Sequence, residues 1–106
     1  MKIRKANLND VNLLISLRLD FLRMNGANLT VEEQIAIVAQ MRKYFQKHIP
    51  LGDFIACLAE KNGQVASAAY VVIEERPANG SFITGIVGNL INVLTYPEYR
   101  HAGLAT

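Results

Sequence analysis

The sequence predicts an α/β fold, an antiparallel meander of about four strands with two helices packed on it. Three observations predict it. Two segments, at about 10–25 and 31–48, repeat apolar residues at three-four spacing, the period of a helix with one buried face. After Asp53 the pattern changes to short apolar runs rich in β-branched residues. Two of those runs flank an Asn-Gly pair, the strongest short-range hairpin signal. The chain has 106 residues, of which 51% are apolar and 19% charged. That size suits one domain with one core, and the composition excludes disorder driven by charge.

Lys2 to Ala6 alternates Ile3 and Lys5 with Arg4 and suits a short strand with one buried face. Asn9 or Asp10 can cap the first helix, whose stripe is Val11, Leu14, Ile15, Arg18, Phe21 and Leu22, widened by Leu13 and Leu17. Gly26 is a natural stop for it. Thr30-Val31-Glu32-Glu33 is a capping box, in which the Thr30 hydroxyl and the Glu33 carboxylate each satisfy a backbone N–H. Ile35, Val38, Met41, Phe45 and Ile49 form the second stripe, ending before Pro50, with His48 facing solvent in the last turn. Phe54–Glu60 and Val65–Glu75 read as a hairpin. Ala66, Ser67, Ala68 and Ala69 are small enough to let a helix approach the sheet. A last strand runs from Gly85 to Thr95, and its glycines at 85 and 88 suggest a bulge or a close backbone approach. Tyr96-Pro97 ends it.

Composition narrows the function classes. The net charge of +2, with no basic run longer than Arg42-Lys43, does not fit phosphate tracking along nucleic acid or an anionic membrane. The N-terminus lacks the apolar run of a signal peptide, and Pro77 to Pro97 is too polar and too rich in glycine to span a membrane. One cysteine, Cys57, fits a reducing, cytoplasmic compartment, and its mid-strand position suggests a buried structural thiol. Two isolated histidines and that cysteine give no metal-ligand spacing. A nucleotide site of the Gly-x-x-x-x-Gly-Lys-Ser/Thr kind is absent.

The chemistry-bearing stretch is the last eighteen residues. A strand, Asn89 to Thr95, turns through Tyr96-Pro97-Glu98-Tyr99 into Arg100-x-x-Gly103-x-Ala105, where a helix should open. Unpaired N–H groups and the dipole of a helix N-terminus attract anions. A glycine admits phosphate oxygens to the backbone, the small residue two positions on keeps that approach open, and arginine adds a fork suited to phosphate. The arrangement is a cradle for a diphosphate.

These residues resemble the GNAT superfamily of acyl-CoA-dependent N-acetyltransferases, whose motif is Arg or Gln, two residues, Gly, one residue, Gly or Ala. The run Asn92-Val93-Leu94-Thr95-Tyr96-Pro97-Glu98-Tyr99 is similar to the family's fourth strand and its exit. The order of strand, two helices, hairpin, strand and phosphate loop extends the likeness over the whole chain. It identifies residues 1–106 as the N-terminal part of a single domain, ending one turn into the cofactor-binding helix.

The resemblance implies acetyl-CoA as co-substrate and a small-molecule or peptide amine as acceptor. Backbone groups at Val93 and Thr95 would pair with the pantetheine arm like an added strand. Arg100 and the backbone N–H groups of His101, Ala102, Gly103, Leu104, Ala105 and Thr106 would hold the pyrophosphate. A donor near Val93 would stabilise the oxyanion. Where many members carry a glutamate base this chain has Asn89, so its proton acceptor is a water or lies elsewhere. None of Tyr44, Tyr70, Tyr96 and Tyr99 matches the tyrosine that protonates the thiolate. The last strand presents an unpaired apolar edge, which favours self-association as a homodimer. The alternative function is a non-catalytic acyl-CoA-binding or self-associating module, and these 106 residues alone are expected to be inactive.

Overall fold

The structure, a computed structural model, describes residues 1–99, so the expected cradle at Arg100 to Thr106 lies outside the described residues. The elements are β1 (Lys2–Lys5), α1 (Val11–Met24), α2 (Val31–Leu51), β2 (Phe54–Lys61), β3 (Gln64–Glu75) and β4 (Ile86–Thr95). Single 3₁₀ turns at Leu8–Asp10 and Pro97–Tyr99 flank α1 and β4. The four strands form one antiparallel sheet in the order β1-β2-β3-β4, the meander expected.

The core lies between the helices and one sheet face. Leu14, Ile15 and Leu17 of α1 and Met41 and Phe45 of α2 meet Phe54, Ala56, Leu58, Ala68, Tyr70 and Leu94. α1 packs over β4 and α2 over β2. Ala56 and Ala68 supply the small side chains at this interface, and the rings of Phe45, Phe54 and Tyr70 fill the space between. The Tyr70 hydroxyl donates to the Leu14 carbonyl at 2.7 Å, tying sheet to helix.

The helix ends follow local chemistry. Thr30 and Glu33 form both bonds of the capping box. Gly26, at φ 91°, lies in the left-handed region that closes α1, and the Gly26 and Ala27 N–H groups bond back to the Arg23 and Leu22 carbonyls. Two expectations are corrected here. The entry to α1 is capped by Asn7, whose carboxamide oxygen accepts from Asn9 N while Asp10 bonds back to Asn7 N; Asp10 makes no side-chain cap of its own to α1. The second helix runs through Pro50 to Leu51, because a proline in the last turn removes only the donor to an exposed carbonyl at Gln46.

Three side-chain orientations are also corrected. Ile3 is 75% exposed, whereas Arg4 is half-buried between Asp10 at 2.8 Å and Glu60 at 2.9 Å. Cys57 is exposed, since Phe54, Ala56 and Leu58 occupy the helix-facing side of β2 and alternation turns Cys57 to the other. His48 does not simply face solvent: its Nδ1 lies 2.8 Å from Asp53 Oδ1, and its ring stacks on Tyr44.

The two hairpin glycine signals separate. Asn62 and Gly63 take φ values of 55° and 78°, the two left-handed positions of the tight turn between β2 and β3. Gly85, at φ 74°, has the close approach: a Cβ there would lie 2.2 Å from the Arg76 carbonyl oxygen. The bulge in β4 lies further on. Tyr70 pairs with Asn92 but Val71 with Leu90, so Ile91 has no partner on β3.

The Arg4 hydrogen bond holds the Asp10 carboxyl below the usual range against the opposing effect of burial, helped by the Asn7 N–H and then by the Arg4 charge. A depressed folded value stabilises above the ordinary carboxylate pKa of about 4 and is lost as pH falls through the folded value. Resistance to urea should therefore fall as the pH drops below about 4. Asp10→Asn should lower the midpoint at pH 7 and flatten that acid limb, which a urea titration across pH 2–7 checks.

Candidate functional site

β4 is the last strand of the sheet, and its backbone directions are set by the ladder. Tyr96 N donates to the Ala66 carbonyl at 3.1 Å, and the same register pairs Leu94 with Ala68 and Asn92 with Tyr70. In an antiparallel pair hydrogen-bonded and non-hydrogen-bonded residues alternate. The intervening Val93 and Thr95 therefore direct their N–H and C=O groups away from β3. The Val93 side chain is 39% exposed on the sheet face opposite the helices. The Thr95 side chain is buried, its hydroxyl 3.2 Å from Ser67 Oγ, which also donates to the Leu94 carbonyl. The described chain leaves this strand through the turn at Pro97–Tyr99, closed by Tyr99 N donating to the Tyr96 carbonyl. Among the expected binding residues, Val93 and Thr95 are thus brought together on β4, and Arg100 to Thr106 lie outside the described residues.

On the helix side of β4 the bulge borders a cleft of about 240 Å³. Its walls are Met41, Tyr44, Phe45, Phe54, Tyr70 and Ile91, with Arg18 and Gln40 as its polar members. Arg18 Nη1 donates to Asn92 Oδ1 at 3.1 Å and reaches the Ile91 carbonyl at 3.4 Å. Its guanidinium carbon also stands 5.8 Å from the centre of the Phe21 ring. Asn92 is 1% exposed, and its Nδ2 has no hydrogen-bond partner among the described residues. Burial pushes the Tyr44 and Tyr70 hydroxyls up, with Asp53 adding to the shift of Tyr44, while the Arg18 charge works against both. Tyr96 is raised by burial and by its hydrogen bond to Asp20 at 2.5 Å. Asn89 is half-buried and pairs with Val72.

Sequence spacing does not reveal the Arg18–Asn92 contact, since it joins residues 74 apart. Its one sequence signal is the arginine interrupting the apolar stripe of α1.

This architecture matches solved acetyltransferases. A predicted acetyltransferase from Clostridium acetobutylicum, solved with acetyl-CoA, superposes with a TM-score of 0.86 at 26% identity over 97% of this chain and 64% of its own. A GCN5-related N-acetyltransferase from Ralstonia eutropha gives 0.82 at 18% identity, over 96% of this chain and 66% of its own. An aminoglycoside N-acetyltransferase in complex with CoA gives 0.65 at 19% identity, over 97% of this chain and 60% of its own. The chain has the α+β architecture of these proteins, and the likeness supports membership of the GNAT superfamily. It spans slightly less than two thirds of the length of the first two. No family model and no curated protein matches the sequence.

Proposed function

We propose that the protein is a cytoplasmic N-acetyltransferase that moves an acetyl group from acetyl-CoA to the amine of a small molecule or peptide. The observation that carries the reading is the backbone of β4, where Val93 directs its N–H and C=O groups away from β3, on the strand that exits toward Arg100-x-x-Gly103-x-Ala105. An extended pantetheine arm can bond to such groups as an added strand does. Val93 and Thr95 hold the arm, and Arg100 with the N–H groups of His101 to Thr106 holds the pyrophosphate. Acetyl-CoA supplies the acetyl group as a thioester: the amine nitrogen bonds to the carbonyl carbon, the C–S bond breaks, and the proton shed by nitrogen ends on the CoA sulfur. A backbone donor near Val93 polarises the carbonyl. Asn89 offers no carboxylate, so water carries the ammonium proton away.

Calorimetry with acetyl-CoA and a thiol-release assay over a panel of amines test this. Saturable binding and amine-dependent thiol release are expected of the complete domain, whereas residues 1–106 alone should release no thiol. Binding without release would favour the non-catalytic module, and ATP binding in place of acetyl-CoA would overturn the cofactor assignment. Sedimentation of residues 1–106 should give a homodimer, since Ile86 and Leu90 are 55% and 61% exposed along the last strand of the sheet.

A further inference from the structure

We infer that the cleft beside the β4 bulge selects, as acceptor, a small amine that also carries a carboxylate and an apolar body, the chemistry of an apolar α-amino acid. This rests on the acetyltransferase reading and names the substrate class of that site. Arg18 is a cation that meets no carboxylate within ion-pair distance among the described residues. Among the other described arginines, Arg4 and Arg76 pair with carboxylates, while Arg23 and Arg42 bond to the Gln34 and Asn12 carboxamides and lie outside this cleft. Nη1 of Arg18 is committed to the Asn92 oxygen and the Ile91 carbonyl, which fixes the plane of the guanidinium. Nε and Nη2 have no partner among the described residues, and a carboxylate takes two parallel N–H donors of one guanidinium.

The rest of the cleft is aromatic and aliphatic, with Tyr44, Phe54 and Tyr70 among its walls, so it fits the apolar body of such a ligand. At about 240 Å³ it is smaller than the ~300–1,000 Å³ of sites for drug-sized ligands, which favours a single amino acid over a larger acceptor. Ile91 is a wall of the cleft and stands two residues before Val93. An amine held by its carboxylate at Arg18 therefore lies beside the strand along which the thioester is to run.

The test compares L-phenylalanine with phenethylamine, which is the same amine without the carboxylate. L-Phenylalanine should be acetylated with the higher kcat/KM, and Arg18→Met should lower the ratio of the two kcat/KM values at least about tenfold, the effect of losing one charge-assisted contact. Arg18→Lys, which keeps the charge and loses the fork, should fall between. A ratio that favours phenethylamine, or that Arg18→Met leaves unchanged, overturns the acceptor class while the transferase reading stands. Ligand-observed NMR reads binding of L-phenylalanine without acetyl-CoA. Binding that Arg18→Met abolishes, with no acetyl transfer to any amine, keeps the carboxylate site and sinks the transferase reading. Absence of both binding and transfer for L-phenylalanine overturns the inference.

Discussion

Gly103→Val should lower the affinity of the protein for acetyl-CoA at least about tenfold. A branched side chain at that position would stand where phosphate oxygens need to reach backbone N–H groups, and a β-branched residue also resists the turn that opens the helix. Arg100→Ala should weaken binding by about 1–3 kcal/mol, the scale of a charge-assisted hydrogen bond. The two changes act on different parts of one cradle, one blocking the backbone and the other removing a side-chain donor. Calorimetry with acetyl-CoA on both variants checks them, with thermal melts to confirm folding. Unchanged affinity in both would remove the diphosphate assignment.

Phe54→Ala should cost about 3–5 kcal/mol of stability, the range for deleting a buried aromatic ring. Phe54 is 2% exposed, and its ring lies 4.9 Å from Phe45, 5.4 Å from Tyr70 and 5.7 Å from Tyr44. No neighbour can collapse into that space without leaving another contact, because α2 and β3 both lean on the same ring. Small domains are stable by only about 5–15 kcal/mol, so the variant should lose a large part of its margin. A chemical denaturation series on the variant measures the loss. A cost below about 1 kcal/mol would mean that the cluster repacks and that the cleft walls are softer than their burial suggests.

What was legible in the sequence was written in short-range chemistry. Thr30 with Glu33, Gly26, and Asn62-Gly63 each act within four residues, and each stands where the sequence predicts it. What was not legible depends on partners far along the chain. The phase of β1 is set by pairing with β2, and that pairing turns Arg4 toward Asp10 and Glu60 and leaves Ile3 outside. The outward face of Cys57 follows from the alternation of Phe54, Ala56 and Leu58, a pattern present in the sequence but decisive only once the helices choose that side. Asn7 won the cap because its loop geometry delivers two bonds through Asn9 and Asp10, which no residue preference alone reveals. In the candidate site, Val93 and Thr95 could be named from a motif, whereas Arg18 could not, because Asn92 reaches it only through the folded sheet.

The bulge at Ile91 also says something about residue number as distinct from residue type. Leu90 matches Val71 and Asn92 matches Tyr70, so the ladder would close without a gap if Ile91 were deleted. Removing another residue from the paired stretch between Asn92 and Thr95 would instead turn the rest of that stretch onto the wrong face. β4 therefore holds one residue more than pairing requires, and that surplus supplies a cleft wall and a carbonyl directed at Arg18. Substitutions at position 91 change one wall of the cleft, whereas a one-residue deletion there would leave a regular ladder without that surplus wall.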